Sequence, residues 1–240
     1  MIGLEVSQEL ARTADVFDDS KFASLLKENA RKYQQEIMEI FVQKSGIVLE
    51  MMGSNLKPVN TILGRYINPG HTLESMWFVI HQAIYRSEPA LIKSSAEISR
   101  ITLQKSWDGV NGGIPQFLDM EGGAPKGEIP PELVSHIMVQ KLQTLWDKKL
   151  WWPHSEALYN LLLIHAYTGE SWALKEYEKV HEYTFSVFPN PDRSIGEWIQ
   201  IRSRTGEPEE AVVALPVKDP MHIARAFMHC INVLERLRTS

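Results

Sequence analysis

One cysteine, Cys230, is all the thiol chemistry the 240 residues carry, so neither an internal disulfide framework nor a multi-cysteine zinc site is available. Positive charge is short too. Thirty acids against 25 bases leave a net charge of −5, whereas a nucleic-acid binder needs a basic face. No apolar run approaches the ~20 residues of a membrane span. The first residues mix acids and polar groups among apolar ones, unlike a secretory signal. Glycine-rich phosphate loops of the P-loop or dinucleotide type are missing as well. With 44% hydrophobic and 23% charged residues, the chain has the usage of a folded protein rather than a disordered one. A soluble, cytoplasmic protein with no nucleic-acid or membrane partner is the expectation.

What is present is helical periodicity. Phe22, Leu25, Leu26, Tyr33, Ile37, Ile40 and Phe41 recur at three- and four-residue steps, the apolar stripe of one long helix. Trp172, Tyr177, Val180, Phe185 and Phe188 form a second stripe. Ile223, Phe227, Cys230, Val233, Leu234 and Leu237 form a third. Further helices are predicted over 1–13, 71–87, 91–107, 133–146 and 155–168. Strand signals are short: 46–52 with a turn at 53–55, 114–120 ended by 121–123, and 198–204 ended by 205–207. Residues 122–131 read as a surface loop, and no shift of composition divides 1–240 into domains.

Three predicted helices open with a proline and place a histidine in the first turn: Asn68-Pro69-Gly70-His71-Thr72-Leu73-Glu74, Trp152-Pro153-His154-Ser155-Glu156 and Asp219-Pro220-Met221-His222. Proline suits the first helical position, where its missing N–H would be unpaired anyway, and Asp219 is a natural cap. In a series of helical hairpins alternate helices point the same way, so these three N-termini gather at one end. A helix N-terminus disfavours imidazolium, so such histidines should be neutral near pH 7. Two facing histidines remove a proton from one face of a carbon and return one to the other, general acid–base work. Glu74, one turn after His71, is placed to orient it. Trp77, Trp151 and Trp152 offer flat faces for a sugar ring, and Arg65 and Arg225 offer donors for its oxygens.

By spacing alone the same residues also read as structure. A His-x-x-Glu pair is commonly a surface or core pair, and paired tryptophans before a helix are commonly core. His154 reads equally as a cap or wall residue, and His81, His136, His165, His181 and His229 as packing residues. His71 and Glu74 could supply two metal ligands, but no second pair with ligand spacing accompanies them.

The run from Gly64 through Arg65, His71 and Glu74 to Trp77-Phe78 resembles the first histidine motif of the N-acylglucosamine 2-epimerases, also called renin-binding proteins. Lys149-Leu150-Trp151-Trp152-Pro153-His154-Ser155-Glu156-Ala157 is similar to the family's tryptophan motif. Gly196-Glu197-Trp198, Met221-His222-Ile223-Ala224-Arg225 and the Gly112-Gly113 hairpin with Asp108 and Asp119 complete the order. The resemblance implies an all-α fold, an (α/α)6 barrel with its sugar site at one end of the inner helices. It implies His71 and His222 as the acid–base pair, Glu74 supporting His71, and Arg65, Trp151, Trp152, Glu156 and Arg225 lining the site. The implied chemistry interconverts N-acylglucosamine and N-acylmannosamine through an enediolate at C2, with no cofactor and no metal. The sugar is the implied partner, with a homodimer plausible by family likeness. An aldose–ketose isomerase of the same fold is the alternative activity, and a truncated, non-catalytic sugar- or protein-binding member is another.

The sequence departs from the family in three places. Ala224 stands where a proline usually precedes the arginine, and Pro115, which cannot donate to a ladder, marks its hairpin as an edge. The resemblance covers only the C-terminal part of the family's fold, so an incomplete barrel of seven or eight helices with short β-hairpins is expected. Low or absent turnover is expected of this chain alone.

Overall fold

A computed structural model describes residues 1–210 and 220–239. Among these residues the chain forms nine α-helices, against the seven or eight expected, and one of the nine is a four-residue piece. They are α1 (Ile2–Val16), α2 (Ser20–Glu36), α3 (Ile62–Arg65), α4 (Pro69–Arg86), α5 (Pro89–Ser106), α6 (Ile137–Thr144), α7 (Trp151–Thr168), α8 (Ser171–Val187) and α9 (Pro220–Thr239). The proposed cap Asp219 lies outside the described residues.

Helices α4 and α7 make the centre. Almost every side chain of their first three turns is buried, polar ones included, which is why both sequences are apolar nearly all round rather than striped. They pack on each other, α5 backs α4, and α8 and α9 flank α7, while α1 and α2 pair at the other side. Fully buried Trp77, Phe78, Leu73 and Met76 on α4 meet Leu158, Leu161 and Leu162 on α7 in one core. Each such side chain contributes roughly 1.5–3 kcal/mol of burial. Helix α1 joins this core through Leu4, and Gln8 donates to the Phe78 carbonyl at 3.0 Å and to Gln82 at 3.1 Å.

The long helix predicted to reach Phe41 is α-helical only to Glu36 and closes with a π-turn, Ile37–Phe41. Gln43 folds back to donate to the carbonyls of Ile40 and Phe41 (3.3 and 3.0 Å), satisfying groups that a helix end leaves unpaired.

The predicted hairpins are corrected in extent and in pairing. Segment 46–52 makes one bridge, Val48 to Val42 before it, while the turn predicted at 53–55 forms, Leu56 N–H donating to Gly53 O and Gly53 N–H to Lys57 O. Segment 114–120 contributes only β2 (Leu118–Asp119), antiparallel to β1 (Tyr66–Ile67). Segment 198–204 contributes only β4 (Ile201–Arg202), antiparallel to β3 (Lys149–Leu150). The turn at 203–207 is as predicted. A short apolar run buried by neighbouring helices shows the same periodicity as a strand, and Pro115 bridges Lys149 without a donor.

These strand pairs tie distant loops to helix starts. Lys149, fully buried, donates to the carbonyls of Gly112 and Arg204 beside Asp108. Gly113 turns at φ +78°, with the Tyr183 ring 2.5 Å from where a Cβ would stand, so only glycine fits there. At the two margins of the helical array the apolar side chains stay in solvent: Ile2, Val6 and Leu10 on α1, and Met221, Met228, Ile231 and Leu234 on α9.

Candidate active site

The first turns of α4, α7 and α9 converge. Helix α4 starts where Asn68 accepts the His71 backbone N–H (3.3 Å), with Pro69 at the first position. Helix α7 starts two residues earlier than its proline suggests, at Trp151, whose N–H is taken by Gln200 O across the β3–β4 pair. Pro153 is therefore the third helical residue, and Trp152 belongs to the first turn. The Trp152 indole lies against both His71 (centroids 5.3 Å) and His222 (5.0 Å), tilted 37° and 34°. Trp151 is buried and meets His222 edge-on at 6.3 Å.

Gly70 permits this arrangement. A Cβ on it would stand 2.5 Å from the Trp152 ring. Gly70→Ala should destabilise the fold by about 1–3 kcal/mol through this overpacking, although an unhindered Gly→Ala in a helix gains up to ~1 kcal/mol. Urea denaturation decides the sign, and a gain in stability would show that the indole does not sit there.

Each histidine donates Nδ1–H to a carboxylate. His222 meets Glu156 at 2.7 Å, with Glu74 at 3.7 Å. His71 meets Glu50 at 2.8 Å. Glu74, expected to support His71, turns instead to Arg225 at 2.5 Å. The residue one turn along α4 faces the packed centre, while the imidazole lies toward the cleft. Arg225 also holds Glu156 at 3.0 Å and Glu5 of α1 at 2.6 Å, and its guanidinium lies 5.0 Å from the Trp77 ring. Glu156 is fully buried and takes a further bond from Trp77 Nε1 at 2.7 Å.

Electrostatics follow from this packing. Burial, and then the Glu156 charge beside it, push Glu74 up to about 7, against the pull of His222 and Arg225. Burial works against protonation of His71, but Glu50 outweighs it and raises the imidazole above its ordinary value. The shift runs against the helix N-terminus, on which the expectation of neutrality rested: a carboxylate in contact outweighs half a peptide-dipole charge. His154 meets that expectation for another reason. Burial holds it down to about 3, and it spans the wall, accepting Ile114 N–H at Nε2 (2.9 Å) and giving Nδ1–H to Leu150 O (2.6 Å).

Arg65 is not part of the cluster. Its guanidinium grips Asp119 through Nε and Nη2 (3.0 and 2.8 Å) and reaches Glu121 and Asn60, clamping the β1–β2 pair. Sequence reasoning missed Glu50 and Glu5. Neither has motif spacing to a histidine, and only the fold brings them in.

Among the described residues Glu74, Glu156 and His222 each bring one ligand atom within 4.8 Å of the others. The Arg225 guanidinium already lies on both carboxylates, so a side chain supplies the positive charge that a metal ion would bring to these donors.

The sequence pattern of the N-acylglucosamine 2-epimerase (GlcNAc 2-epimerase) family matches residues 19–226. The chain belongs to that family. It is 32% identical over 198 residues to the N-acylglucosamine 2-epimerase of Mus musculus, covering 82% of this chain and 43% of that protein. It is 31% identical over 235 residues to that of Homo sapiens, covering 97% and 48%. The chain thus spans about half the length of the curated relatives it matches. The fold is that of a D-mannose isomerase (TM-score 0.69, 16% identity, 98% of this chain and 54% of that one). It is likewise that of the cellobiose 2-epimerase of Bacillus thermoamylovorans (TM-score 0.70, 17% identity, 98% and 52%). The helices accordingly form about half of an (α/α)6 barrel of the family type. Among the described residues no helix is long and apolar enough to cross a membrane.

Proposed function

We propose that this chain carries the proton-transfer machinery of a sugar 2-epimerase acting on N-acylglucosamine and N-acylmannosamine. One observation carries the reading: two imidazoles, each with Nδ1 held by a carboxylate, lie against a single indole. Holding Nδ1–H leaves Nε2 as the nitrogen that accepts a proton, and the carboxylate stabilises the imidazolium that results. With the open-chain sugar resting on Trp152, one imidazole takes the C2 proton to give an enolate across C1 and C2, and the other returns a proton to the opposite face. This enolate is the counterpart of an aldose's enediolate, with the acylamino group in place of the second oxygen. Positioned groups of this kind contribute ~10²–10⁴-fold each.

Proton NMR of N-acetylglucosamine and of N-acetylmannosamine in D₂O with the purified chain tests this. The C2 signal should fade slowly, at the low turnover expected of about half a barrel, yet faster than in buffer, and the epimer should appear. A ketose formed from glucose or mannose, which carry the C2 hydroxyl that such a product needs, with no exchange of the N-acetyl sugars, would instead assign an aldose–ketose isomerase. An unchanged C2 signal with both N-acetyl sugars would overturn the proposal.

A further inference from the structure

The geometry points to Glu50 as the positioning residue of His71, holding its imidazole in the tautomer that leaves Nε2 free; this assignment rests on the epimerase reading. Glu50 lies in an irregular segment, 21 positions before the histidine. Its backbone is nonetheless fixed. Ile47, Val48 and Leu49, immediately before it, are buried, Val48 bridges Val42, and Leu49 N–H donates to Phe41 O at 3.1 Å. The carboxylate therefore leaves an anchored stem and is itself largely shielded, at 17% exposure. Among the described residues His71 is its one hydrogen-bond partner, at 2.8 Å.

The arrangement repeats on the other histidine. His222 Nδ1 is held by Glu156, and in both cases the carboxylate comes from outside the helix that carries the ring. Glu74, the carboxylate next along α4, turns Oε1 to Arg225 and acts on His71 through its charge, not through a hydrogen bond. Glu50 and His71 stand in the wall of a cavity of about 370 Å³ lined also by Tyr33, Phe41, Thr72 and Ser75. The groups that act on the His71 charge are Glu50, Glu74 and the Met1 amino group, with Glu36 and Tyr33 across the cavity. Glu50 and Glu74 favour the imidazolium and the amino group opposes it.

Glu50→Gln keeps the shape and removes the charge, and Glu50→Asp keeps the charge on a shorter arm. Nitrogen-15 NMR of the imidazoles in the 240-residue chain should show Nδ1-protonated His71 in the wild type. In Glu50→Gln that preference should be lost and the His71 titration midpoint should fall. Solvent exchange at C2 of N-acetylmannosamine should drop about 10–100-fold, with the apparent KM little changed, as for removal of an orienting partner. Glu50→Asp should recover part of the rate and of the midpoint. An unchanged His71 tautomer and midpoint in Glu50→Gln would overturn the assignment, as would a shifted midpoint with an unaltered exchange rate. Were wild-type exchange absent, the epimerase reading would fall, and with it the catalytic purpose of the pair. The NMR measurement would still decide separately whether Glu50 fixes the ring.

Discussion

Replacing His222 with asparagine should bring deuterium incorporation at C2 of the sugar down to the buffer rate, and His71→Asn should do the same. The size follows from roles that cannot substitute for each other. Epimerisation needs a proton acceptor on one face of the carbon and a donor on the other, and each positioned group accounts for ~10²–10⁴-fold. Asparagine cannot take up a proton, yet it keeps a polar group near the carboxylate that held the ring. The fold should survive, because Glu156 retains Trp77 Nε1 and Arg225 when His222 is lost. Far-UV circular dichroism checks that the variants are folded, and NMR in D₂O reads exchange. Wild-type exchange in either variant would remove that histidine from the chemistry.

Arg225→Met is expected to cost stability rather than rate alone. The guanidinium neutralises Glu5, Glu74 and Glu156 at once, and the latter two carboxylates are almost fully buried. Methionine fills much of the space but leaves buried charges uncompensated, a loss of about 3–5 kcal/mol when a buried pair is broken. The loss depends on pH with a definite sign. Glu74 is drawn up from the ordinary 4.5 to about 7 in the folded protein, so it binds its proton more tightly folded than unfolded. In the wild type its contribution is therefore fully present below about pH 4.5 and is lost as the pH rises through 7. Without Arg225 Glu74 is pushed further up, so the variant's deficit should be larger at pH 8 than at pH 5. Guanidinium unfolding of both proteins at the two pH values measures it. A deficit that is equal at both would show that the carboxylates are not charged neighbours.

Much of this arrangement was legible in the sequence because it is local. His71, Trp152, Glu156, His222 and Arg225 lie in the first two turns of helices whose starts are signalled by Pro69, Pro153 and Pro220, and parallel helices bring first turns together. The misread parts depend on contacts between distant segments. Arg65 sits beside the first histidine motif, yet its partner Asp119 is 54 positions away, and strand pairing decides which way the guanidinium points. Glu74 shares a helix with His71 but faces the centre, where Arg225 waits. Glu50 has no periodic relation to anything it touches. The hairpins failed for a related reason: a run such as Ile47-Val48-Leu49 satisfies a strand pattern, but Ile47 and Leu49 pack their side chains on Ile67 and Leu118 of the β1–β2 pair without joining its ladder.

The bond between Glu5 and Arg225 spans 220 positions, so nearly the whole polypeptide is enclosed between its two ends. Closing a loop of that length costs entropy that nothing local returns. The charged knot that organises the imidazoles carries that cost, and shortening the chain at α1 or α9 unties it.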